Sequence, residues 1–207
     1  MGFAVLDVET TGLSPRTDRI VEVAIVTLGD NGAAEGEWSS LVNPGRPVAA
    51  SFVHGLTDED VALAPSIGQL LPKITELMLG RAVVAHNAHF DVGFLNAAYA
   101  RSGLDFAIPA RATACTLELS KIYLPPGRHS LTAAARRAGI DTPTHHRALA
   151  DAWTAARLLR HYLVREARGE RYTERAISRR GTTTLPASWT GAAAVAADLA
   201  WPSFSSK

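Results

Sequence analysis

The chain has 207 residues, 47% of them hydrophobic, 21 basic against 20 acidic side chains, and a formal net charge of +1. That length buries a full core without disulfides, and the single Cys115 can close no internal bridge, which points to a reducing compartment. No run spans a bilayer, no leader-like segment opens the chain, and the balanced charge is silent on nucleic acid, so the expectation is cytoplasmic, with no membrane partner.

The stretch FAVLDVETTG, residues 3–12, reads as a strand apolar on both faces, as in the middle of a covered sheet. Asp7 and Glu9 interrupt it two residues apart, so the pleat points both to one side. RIVEVAIVTL at 19–28 and EGEWSSLVN at 35–43 give two further strands, joined by a connector rich in Gly and Asn. NPGRPV breaks the pattern. Thr57 then caps a short helix with Glu59 and Asp60 in its first turn, and APSIGQLLPKITELMLG is a longer helix closed by Gly80. AVVAH is a buried strand running into the helix HFDVGFLNAAYARSG, which Gly103 ends. ATACTLELSKIYL mixes a short strand with a helix, another helix opens after Ser130, and a long one covers about 147 to 167. Strands first, then helices alternating with short strands, predict an α/β fold: a mixed sheet with an antiparallel front edge.

Composition turns loop-like after about residue 168. The expected domain is therefore 1–167, with 168–207 a basic C-terminal extension, packed on the domain or acting as a docking tail. The arginines crowding positions 157 to 180 suit a solvated face with Glu–Arg pairs better than a phosphate-binding patch.

Two more acids stand where oil belongs. On a helix, Asp91 shares its face with Phe94, Leu95 and Ala98, and Asp151 shares its face with Ala148, Ala155, Leu158 and Tyr162. A buried carboxylate without a partner is costly. Two like charges about 4 Å apart repel by about 4 kcal/mol even at an effective dielectric of 20. Gathering Asp7, Glu9, Asp91 and Asp151 makes sense around a divalent cation, and all-oxygen ligands favour Mg²⁺ or Mn²⁺. Incomplete protein coordination leaves room for water and a substrate phosphate, the arrangement of two-metal phosphoryl chemistry.

His145 and His146 precede Asp151. Residues five apart on one helix diverge by about 140°, so the histidine that serves the same site must lie ahead of the helix, in the loop after Pro143. A loop histidine with a pKa near about 6.5 can take a proton from water at neutral pH. Spacing alone does not choose between His145 and His146.

DVETTG, HNAHFD and HRALAD, in that order, resemble the three motifs of the DEDDh 3′→5′ exonucleases, whose proofreading member is the epsilon subunit of bacterial DNA polymerase III. The resemblance spans about residues 3 to 165 and implies a ribonuclease H-like sheet flanked by helices. It implies that Asp7, Glu9, Asp91 and Asp151 hold two Mg²⁺ or Mn²⁺ ions, with Asp7 between them, and that His146 rather than His145 is the base. The implied reaction is hydrolysis of the 3′-terminal phosphodiester of a single strand, DNA favoured over RNA, releasing nucleoside 5′-monophosphates. Thr10, Thr11 and Gly12 would meet the terminal nucleotide through backbone N–H groups, His54 would lie against its base or sugar, and Asn87 and Phe90 would complete the substrate contacts, Phe90 by stacking.

The resemblance departs at the C-terminus, where no Gln-led clamp-binding peptide is present and WPSFSSK is only a loose candidate for a docking peptide. The roles implied are polymerase proofreading, with a DNA polymerase subunit as partner, or stand-alone repair and trimming. Two other readings compete. One is an exonuclease that trims RNA or short oligoribonucleotides. The other is a catalytically inactive nucleic-acid-binding module, against which the complete set of four acids and a histidine argues.

Overall fold

The computed structural model describes residues 2–49, 51–142 and 147–204. Strands β1 (Gly2–Thr10), β2 (Ile20–Gly29), β3 (Ala34–Leu41), β4 (Arg81–Ala85) and β5 (Thr113–Cys115) form one sheet in the order β3-β2-β1-β4-β5. β1, β2 and β3 are antiparallel neighbours, whereas β4 and β5 run parallel to β1. This is the mixed sheet with an antiparallel front edge that the strand order predicts. β2 is buried from Ile20 to Leu28, as a strand covered on both faces must be, while β3 is the exposed edge.

The pleat of β1 sorts the two layers. Phe3 and Val5, with Val26, Leu28 and Val84, face a core formed with α5 (Thr116–Tyr123), α6 (Leu131–Arg137) and α7 (Ala148–Ala167). Ala4, Leu6 and Val8 face the other core, formed with α3 (Ile67–Met78) and α4 (Ala88–Arg101). Burying side chains such as Leu6, Ile25, Phe94 and Tyr99 completely contributes about 1.5–3 kcal/mol each. Two short helices, α1 (Ser51–His54) and α2 (Asp58–Val61), close the loop after β3. Thr57 caps α2 in a reciprocal box with Asp60, whose carboxylate accepts the Thr57 N–H at 2.8 Å. Gly80 and Gly103, at φ +68° and +75°, turn the chain out of α3 and α4 as their positions in sequence suggest.

Past residue 168 the structure holds more order than the composition suggests. A two-residue hairpin, β6 (Ala176–Ile177) with β7 (Thr183–Thr184), is followed by α8 (Ser188–Ala197). Trp189, Ala192 and Ala193 of α8 join the core on the α5–α7 side of the sheet, where α8 lies against β4 and β5. Beyond α8 the chain crosses to the other layer, where Trp201 packs on Phe106 at 5.3 Å between ring centres. The aromatic head of WPSFSSK is thus committed to the protein's own core. Among the described residues no helix is long and apolar enough to cross a membrane.

Candidate active site

The site lies at the carboxyl end of β1, where β1 has antiparallel β2 on one side and parallel β4 on the other. Asp7 and Glu9 continue the alternation of Phe3 and Val5, so both face α7. Asp151 stands in the first turn of α7. One carboxylate oxygen from each of Asp7, Glu9 and Asp151 lies within 4.8 Å of the others.

Asp91 reaches the same strand from the opposite layer. Pairing of β1 with β4 ends at Val5 and Val84, and Asp91 Oδ1 accepts the Val8 N–H beyond that point at 3.2 Å. Asp91 is 3% exposed and is not one of the three acids in mutual reach. Its charge is nevertheless felt: burial first, then the carboxylates of Asp91, Asp151, Glu9 and Glu22, hold Asp7 well above the usual carboxylate range. Burial likewise pushes Asp91 up to about 8, against the pull of the Val8 N–H. Asp7 and Asp91, both held toward their neutral forms, stand beside Glu9 and Asp151 with only carboxylate oxygens as donors, a set that suits a divalent cation.

The turn that presents Asp91 is held by a neighbouring histidine. His86 Nδ1 is 3.0 Å from Thr116 Oγ1 and its Nε2 is 2.9 Å from the His129 carbonyl. Burial lowers the His86 pKa to about 4, so the ring is neutral there. The next residue, Asn87, takes a left-handed conformation, φ 72°, and leads into α4.

His145 and His146 lie outside the described residues. The residue that follows them was not foreseen as part of the site. Arg147 donates to both carboxylate oxygens of Glu22, and Glu22 Oε2 also accepts the Ala148 N–H at the start of α7. Glu22 is buried on β2, directly opposite Glu9. Its signal was present in the sequence: it is the one charge within the otherwise apolar RIVEVAIVTL, apart from the leading Arg19.

The expected substrate contacts divide. Thr10 is buried, and its hydroxyl donates to the Gly12 carbonyl at 2.7 Å. The Thr11 N–H is spent on the Arg19 carbonyl at 2.8 Å, while the Gly12 N–H has no acceptor among the described residues. A side chain at Gly12 would meet the Asp18 carboxylate at 2.5 Å, so it would force Asp18 to swing aside from the Ser14 N–H it accepts. His54 is 5% exposed; its Nδ1 accepts the Leu56 N–H at 3.1 Å, and its Nε2 is buried with no well-formed hydrogen bond among the described residues. Burial lowers its pKa, with the Thr10 backbone and Glu22 opposing. Phe90 is half-buried on Phe94, 4.9 Å between ring centres, and Asn87 is exposed.

A model of the exonuclease family (RNase_T) matches residues 4–159. The chain is 38% identical over 174 residues to a DNA polymerase III subunit epsilon-like protein of Rhodobacter capsulatus, covering 81% of this chain. It is 34% identical over 160 residues to the PolC-type DNA polymerase III of Bacillus cereus, covering 76% of this chain. It spans only 24% and 11% of those two proteins. Among solved structures it resembles Exonuclease X in complex with 5′ overhanging duplex DNA at 31% identity and a TM-score of 0.61, over 83% of this chain and 94% of that one. The structure of Escherichia coli Exonuclease I in complex with a dT13 oligonucleotide matches with a TM-score of 0.70 at 16% identity, over 81% of this chain and 42% of that one, a likeness of fold. The fold shared with it is the ribonuclease H-like exonuclease fold.

Proposed function

The chain belongs to the exonuclease family, among the DEDDh-type 3′→5′ exonucleases related to the polymerase III epsilon subunit, and on that premise we propose that it removes nucleotides stepwise from the 3′ end of single-stranded DNA. The observation that carries the reading is the meeting of Asp7, Glu9 and Asp151 oxygens within 4.8 Å, with Asp91 bonded to the backbone between Asp7 and Glu9. DNA is preferred because the relatives in hand are named for DNA polymerases or were solved with DNA. Proofreading beside a polymerase subunit is the role the epsilon-like and PolC-type relatives favour, in the cytoplasm, where a lone thiol stays reduced.

Asp7, Glu9, Asp91 and Asp151 would hold two Mg²⁺ or Mn²⁺ ions, which when bound polarise a phosphoryl oxygen and offset the charge that builds up during displacement. The protein's own part is to place and move protons. His146 accepts a proton from the attacking water at its imidazole nitrogen. The water oxygen bonds to phosphorus, the bond from phosphorus to O3′ breaks, O3′ of the shortened strand gains a proton, and a nucleoside 5′-monophosphate departs. The Gly12 N–H, which has no acceptor among the described residues, and the buried His54 ring are the groups best suited to hold the terminal nucleotide. Thr10 and Thr11 shape that turn, and Asn87 and the exposed part of Phe90 border the same crevice.

Strands of DNA and RNA of equal sequence, labelled at the 5′ end and incubated with Mg²⁺, Mn²⁺ or EDTA, test the reading. It predicts stepwise 3′ shortening, none in EDTA, and a preference for DNA of at least about tenfold, or about 1.4 kcal/mol. Equal or faster loss of RNA overturns the DNA assignment. No shortening of either strand overturns the exonuclease.

A further inference from the structure

Beyond residue 159, where the family match ends, the chain builds a basic arm. Ala176 pairs with Thr184 and Ile177 with Thr183, and residues 178–182 close the turn between them. The turn is tightly specified. Ser178 N–H donates to the Thr182 carbonyl at 2.9 Å, and Ser178 Oγ accepts the N–H groups of Arg180 and Thr182 at 3.2 and 3.1 Å. Gly181, at φ +79°, supplies the one left-handed residue. The arm is fastened to α5, where Lys121 Nζ donates to the Ile177 carbonyl at 3.0 Å and the Tyr172 N–H to the Ile122 carbonyl at 2.7 Å. Ala176 is buried in the core beside α5. A two-residue hairpin is marginal alone, so these anchors are what hold it in place.

Its charge is uncompensated. Upstream, Arg165 pairs with Glu170, and Arg171 with Glu166 and Glu174; the expected Glu–Arg pairing is present, though the chain has left α7 at Ala167 and the pairs do not lie along one helix face. Arg175, Arg179 and Arg180 have no carboxylate partner among the described residues; Arg179 and Arg180 are exposed at the tip. The tip reaches the N-terminal turn of α4, the helix that carries Asp91. The Arg180 guanidinium meets Nε2 of His89, an exposed residue in the first turn of α4, two positions before Asp91.

We propose that this hairpin is a backbone-binding arm, with Arg179 and Arg180 holding phosphates of the strand on the 5′ side of the nucleotide being removed. The inference rests on the exonuclease reading. A strand whose 3′ end lies in the site has covalent chain only on its 5′ side, so phosphates that reach a cation beside His89 belong to upstream nucleotides. Guanidinium forks match phosphate oxygens and carry no sequence information, which suits an enzyme acting on any sequence.

The test compares hydrolysis of a long oligodeoxythymidine with that of a dinucleotide, whose single phosphodiester is the scissile one, by the full chain with Mg²⁺ across a salt series. For the Arg179→Ala/Arg180→Ala variant, kcat/KM on the long strand should fall by about tenfold or more while the dinucleotide changes far less. The slope of log KM against log salt on the long strand should fall by about 1.4, the value for two phosphates on a single strand. Arg179→Lys/Arg180→Lys, which keeps the charge, should recover most of that slope. An alanine variant that loses nothing on the long strand, or loses the same factor on both substrates, overturns the arm. Wild-type protein that cleaves neither substrate overturns the exonuclease reading and the arm with it.

Discussion

Arg147 grips Glu22 with Nε at 3.2 and 3.1 Å from the two carboxylate oxygens and Nη2 at 2.8 Å from Oε1, tying the start of α7 to β2. Glu22 also accepts the Ala148 N–H at 3.1 Å, so one carboxylate serves as both ion-pair partner and helix cap. Because Glu22 sits opposite Glu9 and Asp151 follows one turn along α7, this latch sets the distance between two walls of the site.

Arg147→Ala should therefore cost stability and rate together. The Arg147 side chain is 49% exposed, so the charge attraction is screened; the cost comes from leaving the Glu22 carboxylate buried and under-bonded. That penalty is about 1–3 kcal/mol in denaturant unfolding. A displaced Asp151 should lower kcat more than it raises KM. Arg147→Lys should recover some stability without the paired geometry. Unchanged kcat in Arg147→Ala would show that the latch does not position Asp151.

Asp7→Asn should separate folding from function. Asp7 is crowded by four other carboxylates, so neutralising it relieves repulsion and should leave the metal-free protein at least as stable as wild type. Hydrolysis should fall by about a thousandfold, because charge stabilisation worth several kcal/mol is lost at about 1.4 kcal/mol per tenfold. Thermal unfolding in EDTA and initial rates in Mg²⁺ check the two halves.

The pH dependence of metal-free stability follows from Asp91. Its pKa is raised in the folded state, to about 8 from an ordinary 3.8, so folding takes up a proton. The stability this group contributes is full below its unfolded pKa and is lost as pH rises through the folded value. With EDTA present, the melting temperature should fall between about pH 4 and about pH 8. Asp91→Asn should flatten that decline, and adding Mn²⁺ to wild type should oppose it, since cation binding favours the ionised acids.

The rate should rise with pH as a group near about 6.5 loses its proton, the behaviour of a histidine base. His146→Ala should remove that limb, whereas His145→Ala should keep it. If the limb persists without His146, the base is another residue.

The fold was readable where periodicity is strong. Apolar runs bounded by Gly and Pro gave the five strands, and the anomaly of acids in oil marked Asp7, Glu9, Asp91 and Asp151. Glu22 carries the same anomaly, yet its meaning depends on Arg147, 125 residues away, which no local pattern reveals. The Thr11 N–H looks available in sequence, but the return of the chain at Arg19 consumes it. Helix α8 escaped because SWTGAAAVAA lacks a polar face to contrast with an apolar one; its order comes from burying Trp189 and the alanines against β4 and β5. Strands of two residues, as in the basic hairpin, are too short to show alternation at all.

The central claim is that the four acids form a divalent-cation centre. Electron paramagnetic resonance counts Mn²⁺ bound to the full chain most directly, comparing wild type with Asp7→Asn and Asp91→Asn at one pH. We expect saturable Mn²⁺ binding in wild type that weakens by at least about tenfold in Asp7→Asn and weakens also in Asp91→Asn, in parallel with loss of 3′ shortening. Mn²⁺ binding of equal affinity and number in all three proteins would contradict the claim.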